Sequence, residues 1–238
     1  MLVSEKKMQK NMTTIDILNN LLIENNNIFE FTFCAFPKQK LLQDSIKFEE
    51  IENVHFQEAL KIRDKFHLPF WDSIMLTYFD KENTSDSILE SALRHNFPFK
   101  KFTSHDIAQL KHESLLTTDY VLAVNSAVLM KNGEIKHILL LDFHIPISES
   151  NCKQVIKVLK CLGLNSGFVL ESGESYHYVG KEIISYETLV NLLIKSLFFS
   201  PIIDRTWIAH QLIEKSCSLR IGYKHNVEPK LIYELNGN

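Results

Sequence analysis

Three short stretches of the chain hold side chains whose types and spacing suit chemistry. In Leu139-Leu140-Leu141-Asp142-Phe143-His144, an apolar run ends in two polar residues spaced i and i+2, which puts Asp142 and His144 on one face of a strand. A carboxylate beside an imidazole at a strand end can hold a divalent metal ion. The plainer alternative is a strand terminus whose Asp caps a turn before Pro146. In Ser172-Gly173-Glu174-Ser175-Tyr176-His177, a small-residue turn leads into Ser175 and His177, again on one face. Hydroxyl and imidazole donors presented together suit phosphate oxygens, although incidental polar residues on a surface hairpin read the same way. In Ile202-Ile203-Asp204-Arg205, Asp204 can cap a helix around Trp207 or serve as a metal carboxylate.

Arginine usage adds a further signal. Of 26 basic residues only Arg63, Arg94, Arg205 and Arg220 are Arg, and two of these lie in the C-terminal segment. A guanidinium fork grips phosphate bidentately, which Lys does not. From Arg205 to Lys230, five Lys or Arg face Glu214 and Glu228, a local charge of +3 against −3 for the whole chain. A solvated basic edge is the alternative. His55, His67, His95, His105, His112 and His137 stand singly and are assigned no role. The sequence has no Walker A, GxGxxG, HExxH or GxSxG pattern, which removes the usual support for P-loop, Rossmann, zincin and α/β-hydrolase readings.

These residues need elements to hold them, and periodicity supplies candidates. A helix is expected from Thr14 to about Glu24, then a half-buried strand at Ile28–Phe36 with Phe29, Phe31, Phe33 and Ala35 on its inner side. Phe56, Ala59, Leu60, Arg63 and Phe66 follow helical spacing, whereas Phe70–Phe79 has no decisive period. Ser87 with Glu90 forms a capping-box signature, and Ser104 is expected to cap a helix reaching about Leu116. Tyr120–Met130 and Ile135–Ile145 read as strands joined at Asn132-Gly133, a strong hairpin signal. A helix over Glu149–Leu162 buries Val155, Ile156, Leu159 and Leu162, carries Cys152 and Cys161 on its apolar side, and ends at Gly163. Strands follow at Gly167–Glu171 and Ser175–Val179. Ser185 then caps a helix running to Phe199, and Pro201 stops it. A short helix around Trp207–Ile213 and strands at Ser218–Gly222 and Lys230–Leu235 complete an α+β (mixed α/β) chain.

Composition bounds the rest. At 238 residues, with 45% hydrophobic content and 16 Phe, the chain can bury a full core and is not disordered. A net charge of −3 excludes a protein that is basic overall, so any nucleic-acid contact must be local. No apolar run approaches the ~18–20 residues that cross a bilayer, and the opening MLVSEKKMQKNM lacks the apolar core of a secretory signal. Four scattered cysteines with no CxxC pair argue against a zinc finger and fit a reduced, cytoplasmic compartment.

The order of the pieces carries more than any one of them. A strand ending in Asp142-x-His144, a later strand with Ser175-x-His177, an apolar-Asp204 and then Ser218-Leu219-Arg220 resembles the catalytic half of the archaeo-eukaryotic primase superfamily, over roughly residues 118–235. That resemblance implies a primase-like core in 118–238 behind an N-terminal α+β lobe, 1–117, of unassigned role. It implies Asp142 and Asp204 as metal ligands, with His144 at the third ligand position, and Ser175, His177 and Arg220 as nucleotide contacts. Arg205, beside Asp204, joins them as a phosphate-binding candidate. His144 stands where the family pattern has an acid, so two carboxylates remain, and imidazole suits Mn²⁺ or Zn²⁺ better than Mg²⁺. The expected function is a primase-like nucleotidyltransferase domain that takes a divalent metal (Mg²⁺ or Mn²⁺), a nucleoside triphosphate and a single-stranded or primed nucleic-acid template. Either it works with a single or softer ion, or polymerase activity has been lost. The alternatives are a non-catalytic nucleotide- or nucleic-acid-binding or interaction module that kept the fold, and a small metal-dependent phosphodiester hydrolase using His144, His177 and Asp142.

Overall fold

The computed structural model describes residues 12–37, 54–68, 70–78, 100–104, 110, 120–223 and 227–237. Helix α1 (Thr14–Glu24) starts at a reciprocal cap: Asp16 N donates to the Thr13 hydroxyl at 3.3 Å, and Thr13 N donates to the Asp16 carboxylate at 2.9 Å. Strand β1 (Ile28–Pro37) follows. Helices α2 (Val54–Phe66) and α3 (Phe70–Tyr78) form a hairpin, so the apolar segment without a clear period is helical. Next come β2 (Lys100–Ser104), β3 (Tyr120–Met130) and β4 (Ile135–Asp142), the last two joined through Gly133 at φ +83°. Helix α4 (Glu149–Cys161) is capped by Ser148 and released by Gly163 at φ +80°. Strands β5 (Ser166–Glu171) and β6 (Tyr176–Ile184) precede α5 (Tyr186–Ser196), which tightens into a 3-10 turn at Leu197–Phe199 before Pro201. Helix α6 (Arg205–Glu214), β7 (Ser218–Arg220) and β8 (Lys230–Asn236) close the described chain. The Ser87-capped helix lies outside the described residues, as does nearly all of the one expected after Ser104; Ser104 itself closes β2.

The eight strands among the described residues form one antiparallel sheet in the order β2-β1-β3-β4-β6-β5-β8, with β7 paired to β3 off this path. The mixed α/β class read from the sequence is the class observed. The reason for the eighth strand's position is that β3 and β4 part soon after their hairpin. Their register covers only Ala127–Leu129, and β7 takes the vacated edge at Ala123–Asn125. The sheet also runs without a break from β1 and β2 into the strands that carry the motifs, across the division at residues 117 and 118.

Both faces of the sheet are covered at its centre. Ile138, Leu139, Leu140 and Leu141 are all buried, so β4 is an apolar run and not an alternating one. The same holds for β1, where Thr32 and Cys34 are buried as well as Phe31, Phe33 and Ala35; the half-buried strand expected there is buried on both sides. Phe29 departs the other way and is half exposed, because a bulge skips it between the Ile28–Met130 and Glu30–Leu129 pairs and turns its side chain out. On α4 the buried stripe is Val155, Val158 and Leu159, with Cys152 packed at its edge. Cys161 is exposed, against expectation, because it projects to the side of the helix away from Val155, Val158 and Leu159.

Gly167 shows how tightly β5 and β6 are locked. A Cβ there would meet the Tyr178 ring at 2.5 Å, and that ring is fixed because its hydroxyl donates to Ser166 O at 2.7 Å. Gly167→Ala is expected to cost about 1–3 kcal/mol of stability through overpacking. In a Tyr178→Ala background, where the ring is gone, the same change should cost distinctly less in urea unfolding.

Candidate functional site

Asp142 ends β4, and its place is set by main-chain bonds on both sides. On one side it stands opposite His177 of β6 in the strand register, with Asp142 Oδ1 3.6 Å from His177 Nε2. On the other, Asp204 N donates to Asp142 O at 3.2 Å, and His144 N donates to Ile202 O at 2.7 Å. A bridge between Phe143 and Ile203 joins the two segments. The first and third motifs thus lie on hydrogen-bonded neighbouring backbones, with the second motif across from the first. Residues 62 apart in sequence come together because Pro201 ends the α5 segment and sends Ile202–Asp204 back along the end of β4.

The Asp204 side chain does what the sequence pattern offered as one option. Its Oδ1 accepts from Thr206 N at 2.8 Å and from Trp207 N at 3.0 Å, capping α6. Both cap bonds use the same oxygen, and Oδ2 makes no hydrogen bond among the described residues. His144 is partly exposed, and its Nε2 lies 3.2 Å from His67 O, in the connection between α2 and α3. His67 takes a left-handed backbone (φ 52°), which is uncommon for a residue other than glycine.

Ser175 sits just before β6 in the turn that begins at Ser172. Ser172 N donates to Ser175 O at 2.9 Å, and the two hydroxyls are 3.4 Å apart. Arg220 clamps this turn from the end of β7. Its Nη2 donates to Ser172 O, and its Nη1 donates to Gly222 O and Val227 O at 2.8 Å each. Burial pushes its guanidinium pKa down, while the negative charges of Asp142 and Glu174 pull it back up, so Arg220 belongs to the same electrostatic neighbourhood as Asp142. Arg205, on the outer side of α6, is instead paired with Asp72 of α3: Nη2 to Oδ2 at 3.1 Å and Nε to Oδ1 at 3.4 Å.

In the backbone Asp142 therefore neighbours Asp204 and faces His177, Ser175 and Arg220 lie to either side, and His144 and Arg205 are both engaged by the α2–α3 hairpin. No spacing rule pointed to His67 or Asp72. The second lies in the segment without a clear period, more than 130 residues from its partners. Among the described residues, no group of three or more His, Cys, Asp or Glu is gathered to hold a metal. Two carboxylates on bonded backbones, one with an oxygen outside the cap bonds, nevertheless match the usual donor set for Mg²⁺, which takes one or two carboxylates and completes its shell with water and substrate phosphates.

Behind β7 lies a separate buried polar group. Asn125 Nδ2 donates to Ser216 Oγ and Ser218 Oγ, and Ser126 Oγ lies 3.0 Å from His137 Nδ1, so His137 is a satisfied core histidine. Nearby, Glu214 Oε1 is buried without a partner among the described residues. Burial pushes the Glu214 carboxyl up to about 7, against a smaller opposing pull from Lys101. A raised carboxyl favours the fold while protonated. Its contribution is therefore complete below about pH 4.5 and is lost as pH rises through about 7. Glu214→Gln is expected to be neutral at pH 4.5 and to stabilise at pH 8 by about 1–2 kcal/mol, allowing for solvent screening at this half-exposed group. Denaturant melts of both proteins across pH check this; parallel curves would refute it.

No helix among the described residues is long and apolar enough to cross a membrane. A family model, AEP-like, described as archaeo-eukaryotic primase 1D-like, matches residues 100–232, more than half of the chain. No curated protein and no solved structure gives a match.

Proposed function

Because the chain belongs to the archaeo-eukaryotic primase 1D-like family, we propose that the cleft between the ends of β4, β6 and the α6 cap is a nucleotidyl-transfer site. It binds a divalent metal, a nucleoside triphosphate and a single-stranded or primed nucleic acid. The observation that carries this reading is the pairing of Asp142 O with Asp204 N, which sets two acidic residues side by side with His177 opposite. Asp142 and Asp204 would hold the metal, which when bound neutralises triphosphate charge and lowers the pKa of an attacking hydroxyl. The chain's own residues do the positioning. His177 and Ser175 present an imidazole and a hydroxyl to phosphate oxygens from one side of β6. Arg220 fixes the Ser172–Ser175 turn and lends its positive charge to the same region. Such placement contributes mainly by orientation and by electrostatic stabilisation prepared in advance. The 1–117 segment is proposed to contribute to the same unit, through β1, β2 and the α2–α3 hairpin.

One observation favours a second reading. His144 occupies the place of an acid and is already bonded to the His67 carbonyl, so the ligand set is one negative charge poorer. A module that binds nucleotide or nucleic acid without turnover would tolerate this loss. Two experiments on the intact chain separate the readings: isothermal titration with Mn²⁺ and nucleoside triphosphate, and template extension in Mg²⁺ and in Mn²⁺. Binding with extension supports the transferase, and binding without it supports the module. Absence of both removes the nucleotide site.

A further inference from the structure

The α2–α3 hairpin touches the candidate site at two points, and both contacts reach residues next to or within the metal set. Asp72, in the first turn of α3, is largely buried and receives three donors: Arg205 Nη2 at 3.1 Å, Arg205 Nε at 3.4 Å and Thr206 Oγ1 at 3.1 Å. Thr206 is also the residue whose N–H is held by Asp204 Oδ1 at 2.8 Å. Thr206 is thus gripped from both sides, through its hydroxyl by Asp72 and through its amide by Asp204. The Arg205 pair alone is exposed on the Arg side and would contribute little. Its value lies in fixing the planar carboxylate so that Oδ1 faces Thr206.

The second contact reaches His144. Since the His67 carbonyl can only accept, His144 Nε2 carries the proton, and in the neutral ring Nδ1 holds the lone pair. A backbone carbonyl on one ring nitrogen is the arrangement that orients a metal-bound histidine through the other. His67 offers that carbonyl from a left-handed backbone, a conformation that surrounding structure must hold in place.

We propose that the α2–α3 hairpin is the outer shell of the site, with Asp72 as the positioning residue for Asp204 and the His67 carbonyl as the positioning group for His144. The proposal rests on the metal reading given above and assigns a role within that site to a hairpin that lies outside the family-matched span. It also accounts for the tolerance of a histidine at the acid position: an imidazole that is turned and held can serve where a loose one could not.

The test uses the full chain with Asp72→Asn and, independently, Thr206→Val, which removes the hydroxyl without touching charge. Amide hydrogen exchange is followed at Thr206 and Trp207, the two cap donors, and Mn²⁺ affinity is measured by titration. Both variants should lose about tenfold or more of their protection at Thr206 and Trp207 while Leu140 and Val179 keep theirs. Mn²⁺ binding should weaken by ~10–100-fold, the range seen when outer-shell partners are removed. Unchanged exchange at the two cap amides overturns the positioning role. Lost protection with Mn²⁺ affinity within twofold of the parent overturns the link to the metal. Wild-type protein that takes up no Mn²⁺ defeats the metal reading itself, which the exchange data alone cannot do.

Discussion

Asp142→Asn is expected to reduce Mn²⁺ affinity, and any template-dependent extension, by more than ~100-fold, because a direct ligand should cost more than the 10–100-fold typical of an outer-shell partner. The change keeps the shape of the side chain and removes its charge. It leaves alone the bonds that place the residue, since Asp142 O still accepts from Asp204 N and the strand register to His177 is made by backbone. Stability should fall by only about 1 kcal/mol, from the lost attraction of the carboxylate to His177 and Arg220. A titration of Mn²⁺ and nucleoside triphosphate into both proteins, with melting curves alongside, reads the two effects separately. An Asn variant that binds like its parent would take Asp142 out of the site.

Asp204 has two jobs to separate, and Asn and Ala separate them. Asn is as good a helix cap as Asp, so Asp204→Asn should keep the Thr206 and Trp207 bonds and lose only the charge. Asp204→Ala loses both and should cost about 1 kcal/mol more in stability. If Asp204 holds the metal, the two variants weaken Mn²⁺ binding alike, by more than tenfold, and differ only in urea midpoint. Should Asn bind Mn²⁺ normally while Ala merely unfolds more easily, Asp204 is a cap and nothing else.

Local rules made much of this molecule legible in advance. The cap at Ser185 depends on a hydrogen bond three residues long, and the turns at Gly133 and Gly163 need a positive φ that glycine supplies. Asp142 and Asp204 stand out in the sequence because each ends an apolar run, and Ser175 and His177 because a small-residue turn precedes them. What escaped depends on partners far away. Nothing near Phe29 signals the bulge, which arises from its register with β3. Cys161 is the exception, exposed because, at about 100° per residue, it points well away from the stripe of Val155, Val158 and Leu159. Asp72 lies in a helix and His67 in the turn before it, with no motif of their own, and they meet the candidate site only through contacts with residues 133 and 77 positions away.

The gap that β7 fills between β3 and β4 has a kinetic meaning. Strand β7 reaches β3 across a separation of about ninety residues, with Asn125 bonded to Ser218 and Ser126 to Cys217. Such a loop is expensive to close and is compensated only when the contacts at its end are made, so β7 should dock late. Until it does, β3 offers an unpaired edge in the middle of the sheet, open to a strand from another molecule. Arg220 rides on that same strand and clamps the Ser172 turn. The step that closes the sheet against aggregation is therefore the step that finishes the cleft, and any condition that slows the first delays the second.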